Sequence, residues 1–346
     1  MMKRFLWLPT TILLLCSLVG VTSCSDAEDP SPVPLPEIPQ IIFDTDIGSS
    51  TDDLFALQML NRYQDKGQCR LLGVVVNREG EDYAACVDIM DTYYGHPYIP
   101  IGLVRNGIKS PHVFIDYKSV HTFTLPDGKL MFQHTLKDYS TLLDGWQLYR
   151  KLLASQADNS VSIVSVGFFT CLAQLLESAP DSYSPLSGVE LVRRKVKCLY
   201  IMGGNFLKKN NEAEYNLQQG IEFGKTFFRL WPSEVDAIFS PDEVGGQIEY
   251  KIEQVIADIN WTDIHPIKQV YMKFNCDTGQ KMWDPLIVIN AVEGNSLFDL
   301  SERGNVTVSE DGYTQFSPSA TGPYRYQLPG NDEWNTAMLN KIRKSN

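Results

Sequence analysis

The chain has 346 residues with 30 Lys and Arg against 42 Asp and Glu, a formal net charge of −12. It is 43% hydrophobic and 21% charged, a globular composition with ample apolar content for a large core. This excludes a disordered chain, a collagen, a coiled coil and a disulfide-dense miniprotein. The acidic balance also disfavours nucleic acid as the main partner, because phosphate binding needs a basic face. It suits a small neutral ligand or a divalent cation.

The first segment reads as targeting. Lys3 and Arg4 precede an apolar run from Phe5 to Val21, and small residues lead to Cys24. The Val21-Thr22-Ser23-Cys24 end resembles a bacterial lipobox, so residues 1–23 are expected to be a lipoprotein signal peptide and Cys24 the lipidated residue. Plain secretion with an incidental Cys24 is the alternative. Cleavage there would remove two bases and no acid, bringing the charge to −14. Residues 24–40 carry Pro30, Pro32, Pro34, Pro36 and Pro39 and read as an extended tether. The expected location is outside the cytoplasm, on a bacterial membrane, periplasmic or at the cell surface, with the lipid as the only membrane contact.

Residues 41–346 read as one α/β domain. In chain order, Ile41-Ile42-Phe43 is a strand and Asp52 to Tyr63 a helix. Leu71 to Val76 is a second strand and Asp82 to Tyr94 a second helix. Val161 to Val166, Cys171 to Ser178 and Cys198 to Met202 read as strand, helix and strand. Pro285 to Val292 is a further helix with proline at its first position. Continuous apolar strands alternating with helices predict an open, mostly parallel central sheet covered by helices on both faces. Residues 103–140 and 203–220 are polar and irregular, candidate binding loops. Five cysteines lie beyond Cys24, an odd number without C-x-x-C spacing, which points to buried thiols and to neither zinc nor a disulfide scaffold.

Four junctions carry chemistry. Asp44-Thr45-Asp46-Ile47-Gly48-Ser49-Ser50-Thr51-Asp52-Asp53 packs four carboxylates into ten residues between a strand and a helix. Capping by Ser50 or Thr51 and the helix dipole account for Asp52 and Asp53. They leave Asp44 and Asp46 needing a counter-ion, and so many hard oxygen donors suggest Ca2+ or Mg2+. Thr170 follows the strand ending at Gly167, where it reads as an N-cap. Asp284 precedes Pro285 and is expected to be extended, with an N-cap as the plain alternative. Glu212-Ala213-Glu214-Tyr215-Asn216 lies in the loop after Met202-Gly203-Gly204, where a solvated acidic loop is the plain alternative. The first three junctions stand where a strand hands over to a helix, and in a parallel sheet those points share one rim.

These residues resemble the inosine-uridine preferring nucleoside hydrolases over most of the chain. The family's opening Asp-Thr-Asp-Pro-Gly-x-Asp-Asp matches Asp44-Thr45-Asp46-Ile47-Gly48 … Asp52-Asp53, with two extra residues before the paired acids. Gly167 to Cys171, Met202-Gly203-Gly204 … Ala213-Glu214-Tyr215-Asn216 and Asp284-Pro285 match its later motifs in order. The resemblance implies hydrolysis of the N-glycosidic bond of purine and pyrimidine ribonucleosides by a Ca2+-activated water. It implies that Asp46, Asp53 and Asp284 bind Ca2+ by carboxylate and Thr170 by its carbonyl, and that Asp46 is the catalytic proton acceptor. Asp52 and Asn216 would hold ribose hydroxyls, with Glu214, and Asn205 or Asn211, toward the 5′ end. Trp283 stands where several members carry a histidine, and would stack on a base without donating a proton. His112, His121 and His134 lie in the long loop as candidate donors or solvated bystanders.

A nucleoside- or sugar-binding lipoprotein with weak or lost catalysis is the alternative function. A Mg2+ phosphohydrolase using Asp44 and Asp46 leaves Asp52, Asp53, Thr170 and Asp284 unexplained. Association of identical copies stays open.

Overall fold

The computed structural model describes residues 38–109, 111–207, 212–274, 276 and 280–346. The expected signal peptide, Cys24, most of the expected tether and Asn211 therefore lie outside the described residues. Ile38–Asn346 clusters as one unit.

The strands are β1 Gln40–Thr45, β2 Arg70–Val76, β3 Ile101–Leu103, β4 Leu143–Asp144, β5 Val161–Ser165, β6 Val196–Met202, β7 Asp236–Ser240, β8 Glu249–Tyr250, β9 Gln280–Lys281, β10 Gly304–Val308, β11 Thr314–Pro318 and β12 Tyr324–Tyr326. The α-helices are α1 Asp52–Asp65, α2 Glu81–Tyr93, α3 Gly145–Ala154, α4 Thr170–Glu177, α5 Gly188–Lys195, α6 Tyr215–Gln218, α7 Ile221–Leu230, α8 Asp242–Gly245, α9 Ile252–Asp258, α10 Pro266–Lys273, α11 Asp284–Glu293 and α12 Asp332–Arg343.

Ten strands form one sheet in the order β11-β10-β12-β7-β6-β5-β1-β2-β3-β4. Every pairing from β12 to β4 is parallel. Only β10 pairs antiparallel, with β11 and β12, at one edge. The fold is thus the expected mostly parallel α/β sheet with helices on both faces.

Alternation along each strand builds two cores. Ile41 and Phe43 of β1 point into a core with Leu54 and Phe55 of α1, Ile89 of α2 and Leu286 of α11. Ile42 points the other way, among Leu148 of α3, Leu172 of α4, Leu191 of α5 and Phe227 of α7. Because β1 is flanked by β2 and β5 and covered on both faces, its apolar residues are fully buried. The chain runs outward from β1 toward β2, β3 and β4 on one side and toward β5, β6 and β7 on the other. The point where strand order reverses therefore lies between β1 and β5, and the crevice at their carboxyl ends is where such sheets bind ligands.

Three helix starts differ from expectation. Thr51 is the N-cap of α1 but makes no side-chain cap, because its Oγ1 donates to the Tyr271 hydroxyl at 3.1 Å. Phe169 rather than Thr170 caps α4, and Thr170 is its first residue. Asp284 is helical rather than extended, since the Asp52 carboxylate accepts the amides of Trp283 and Asp284 and draws both into the first turn of α11. The long loop 103–140 holds two short 3-10 turns, Lys118–Thr122 and Tyr139–Thr141. The loop 203–220 carries α6. Cys69, Cys86, Cys171 and Cys276 are buried free thiols, with Cys198 half-buried. Among the described residues no helix is long and apolar enough to cross a membrane.

Candidate active site

Strand ends and helix starts converge on one cleft at this rim. Asp46 follows β1, Val166 follows β5 and Met202 ends β6. Asp52 and Asp53 open α1, Glu214 and Asn216 flank the start of α6, Asp242 opens α8, and Trp283 and Asp284 start α11. All of these line the cleft, together with Ser49, Ser50, Phe114 and Tyr215.

Two glycines permit this convergence. Gly48 turns the chain between β1 and α1 at φ 118°, a conformation open to glycine. A Cβ on Gly167 would stand 2.5 Å from the amide nitrogen of Asp46, so only glycine lets the β5 end approach the β1 end so closely. Asn77, after β2, ties these ends together. Its Nδ2 donates to Asp44 and to the Phe168 carbonyl, while its Oδ1 accepts the Phe168 amide at 3.2 Å.

The acids divide into three groups. Asp44 is fully buried and does not line the cleft. It accepts from Tyr149 at 2.6 Å and from Asn77, and burial lifts its pKa to about 7. A phosphohydrolase reading would need this carboxylate free, and it is not. Asp52, Asp53 and Asp284 form the second group, with one carboxylate oxygen from each lying within 4.8 Å of the others. Burial first, then mutual repulsion, pushes Asp53 and Asp284 well above the usual carboxylate range. Asp52 is pushed up to about 6, again mainly by burial. Its Oδ2 accepts two amides of α11 while its Oδ1 is buried without a partner.

The third group is Asp46 alone. Its Oδ2 receives Arg78 Nη2 at 2.6 Å, and Arg78 Nε donates to its carbonyl at 2.8 Å. Arg78 is fully buried between the rings of Phe168 and Tyr83. Burial raises the Asp46 pKa, and Arg78 works against that rise. The counter-ion that the Asp44–Asp46 pattern demands is thus partly supplied by the protein itself.

Glu214, also in the lining, caps α6. It accepts from the amides of Asn216 at 2.8 Å and of Leu217 and Gly204 at 3.3 Å, and burial lifts it to about 7. Asn216 donates its Nδ2 to the Val166 carbonyl at 3.0 Å, so Oδ1 is the group it has to offer. Trp283 gives its indole N–H to the Asp242 carbonyl at 3.2 Å. Two predicted residues fall outside the lining. Asn205 turns its Nδ2 to the Glu212 carbonyl, and Thr170 is buried with an unpartnered Oγ1. No histidine lines the cleft among the described residues. His121 bonds the Lys118 carbonyl and His134 meets the Tyr139 hydroxyl, while His112 packs against Phe114 and Tyr215.

Sequence reasoning missed Phe114 and Arg78. Phe114 stays 63% exposed at the cleft mouth, 5.0 Å from the Tyr215 ring. The two extra residues before Asp52-Asp53 hold it there. Ser49 accepts the Phe114 and Ile115 amides at 3.0 and 2.9 Å, and the Ser50 carbonyl accepts the Tyr117 hydroxyl at 2.7 Å. That insertion was the available signal for a docked loop. Arg78 had none.

The inosine-uridine preferring nucleoside hydrolase family profile matches residues 41–324, and the chain belongs to that family. No curated protein sequence matches the chain. Among solved structures it is similar to the purine-preferring ribonucleoside hydrolase from Gardnerella vaginalis, at 16% identity and TM-score 0.65, covering 88% of this chain and 98% of that one. It is also similar to the inosine-uridine preferring nucleoside hydrolase from Bacillus anthracis, at 16% identity and TM-score 0.65, covering 89% and 100%. The type III effector XopQ, solved with adenosine diphosphate ribose, matches at 15% identity and TM-score 0.61, covering 90% and 95%. At these identities the likeness is one of fold, and family membership is what supports hydrolysis of ribonucleosides.

Proposed function

We propose that the protein hydrolyses the N-glycosidic bond of ribonucleosides with a bound Ca2+. The observation that carries this reading is the convergence of Asp52, Asp53 and Asp284 on one point of the crevice, in a chain of this family. Three carboxylates forced together by burial are a poor arrangement without a cation and a good one with it. Oxygens up to 4.8 Å apart can span one ion, since Ca–O distances run about 2.3–2.6 Å. Asp52 has an oxygen for this purpose, since its Oδ1 is buried without a partner.

Asp52, Asp53 and Asp284 would hold the ion. When bound, it supplies Lewis acidity that lowers the pKa of a coordinated water. The chain's own groups do the rest. Asp46 stands at the cleft wall to take up a proton from the attacking water. Asn216 offers Oδ1 to a ribose hydroxyl, and Glu214 of the same lining bounds the sugar. As the bond between C1′ and the base breaks, its electron pair leaves with the base and the sugar gains oxocarbenium character, which the surrounding carboxylates stabilise. Trp283 and Phe114 offer ring faces to the base at the mouth.

The ion pair between Arg78 and Asp46 favours a second reading, a nucleoside- or sugar-binding protein on this fold. A proton acceptor held by a guanidinium is a weaker base, and no lining histidine can protonate the leaving base. The discriminating experiment measures ribose release from a panel of ribonucleosides in the presence of Ca2+, with Asp53→Ala as control. Release that is lost in the variant supports the hydrolase. Ca2+-dependent nucleoside binding without release supports the binding protein.

The lipoprotein reading rests on the sequence of residues 1–24, and with it an exported, lipid-anchored location. Fatty-acid labelling that disappears in Cys24→Ser is the expected result, and labelling that persists there overturns it.

A further inference from the structure

The cleft is rich in acceptors, and its side-chain donors are already committed. We propose that its preferred substrates are ribosides whose base carries a positive charge on the ring nitrogen bonded to C1′, so that the base departs as a neutral molecule without being protonated. This rests on the hydrolase reading above and specifies its substrate class.

The donors come first. Besides its acids, the lining holds Ser49, Ser50, Tyr215, Asn216 and Trp283 as side chains with an N–H or O–H to give. Trp283 gives its indole N–H to the Asp242 carbonyl at 3.2 Å, and Tyr215 gives its hydroxyl to the His112 carbonyl. Asn216 Nδ2 serves the Val166 and Met202 carbonyls at 3.0 and 3.4 Å. The Ser49 and Ser50 hydroxyls are bonded to Tyr215 and Asp52. Both oxygens of Glu214 face backbone amides. A neutral base leaves as an anion unless a donor protonates it, and these donors are turned elsewhere. A quaternised base differs. When its C1′–N bond breaks, the electron pair moves onto the ring nitrogen and cancels the charge. The water oxygen bonds C1′ and its proton passes to Asp46, so the products are ribose, a neutral base and one proton.

Charge and ring faces point the same way. Asp46, Asp52, Asp53, Glu214, Asp242 and Asp284 line the cleft, and among the described residues no lysine or arginine does. A divalent ion offsets at most two charges of that set, and a cleft of one sign concentrates ligands of the other. Trp283, Phe114 and Tyr215 bring aromatic rings to the same lining, with the Phe114 and Tyr215 centroids 5.0 Å apart. Aromatic faces attract cations, and quaternary nitrogen is what aromatic cages recognise.

Nicotinamide riboside, cationic at every pH, is the probe, and its reduced dihydro form is the uncharged match in size. Ribose release by the full chain in detergent with Ca2+ should show a kcat for nicotinamide riboside on the order of 10²-fold or more above that for inosine and uridine, the factor a neutral base loses without a general acid. Calorimetry on Asp46→Asn, which binds without turnover, should find the cationic form about tenfold tighter than the reduced form. Inosine or uridine cleaved as fast as nicotinamide riboside overturns the proposal and leaves the hydrolase reading standing. Equal or weaker binding of the cationic form overturns it as well. Cleavage of none of the three defeats the hydrolase reading, and the proposal with it.

Discussion

Asp52, the first residue of α1, accepts the backbone amide of Trp283, the N-cap of α11, at 3.2 Å. The same oxygen accepts the amide of Asp284 at 3.3 Å. One carboxylate thus caps a helix remote in sequence and holds Asp284 beside Asp53. Its structural and chemical roles can be separated. Asp52→Asn keeps an acceptor for both amides and loses the charge, so stability should change by less than about 1 kcal/mol while Ca2+ affinity falls clearly. Asp52→Ala removes the cap as well and should cost about 1–2 kcal/mol. Thermal unfolding beside Ca2+ titration checks this, and equal Ca2+ binding by Asp52→Asn and wild type would show that the charge plays no part.

The sugar wall makes a second prediction. Asn216 is buried and keeps an oxygen to offer, because its Nδ2 is committed to Val166. A site built to bond a hydroxyl rejects the analogue lacking it far more strongly than an apolar pocket could. Discrimination of ribonucleosides over 2′-deoxyribonucleosides in kcat/KM should be on the order of 10⁴-fold. Comparable rates for a matched pair would place the sugar elsewhere.

Much of the site was legible because its residues sit at strand-to-helix junctions. Asp46, Asp52, Asp53, Asp284, Glu214, Asn216 and Trp283 all reach one cleft. The central strands were legible too, since β1, β2, β5 and β6 are apolar runs buried in a parallel sheet. The edge was not, because β11 is largely exposed and reads as polar coil. Arg78 shows what local pattern cannot reach. After a strand, a lone arginine in an acidic chain reads as a surface cation, yet Tyr83, Phe168 and Asp46 from three separate segments enclose it. Asn205 lies outside the lining: its Nδ2 goes to the Glu212 carbonyl, and its Oδ1 is buried without a partner.

Phe114 permits a clean test of base recognition, because it is 63% exposed and its loss should leave the fold intact. Aromatic contacts of this type contribute about 0.5–1.5 kcal/mol, so Phe114→Ala should raise KM roughly two- to tenfold. The effect on kcat should be small, since the ring stands at the mouth and not among the carboxylates. Steady-state kinetics across purine and pyrimidine substrates measures it. A loss confined to kcat would place Phe114 in the chemical step instead.

Asp91 of α2 lies away from the cleft and governs stability instead. It is buried, its Oδ1 takes one hydrogen bond from Asn61 at 2.8 Å, and its Oδ2 has no partner. Burial lifts its pKa to about 8 from an ordinary 3.8. Between those values the folded chain keeps a proton that the unfolded chain releases. The stabilising contribution of the protonated form is therefore complete below about pH 4 and is lost as pH rises toward 8, with a slope of at most about 1.4 kcal/mol per pH unit. Asp91→Asn keeps an acceptor for Asn61 and cannot ionise. At pH 5 the wild type should be the more stable relative to the variant, and the balance should swing steadily toward the variant by pH 8. Denaturant unfolding at a series of pH values and constant Ca2+ measures the difference, which cancels the titration of every other group. Parallel stability curves for the two proteins would mean that Asp91 ionises normally inside the fold.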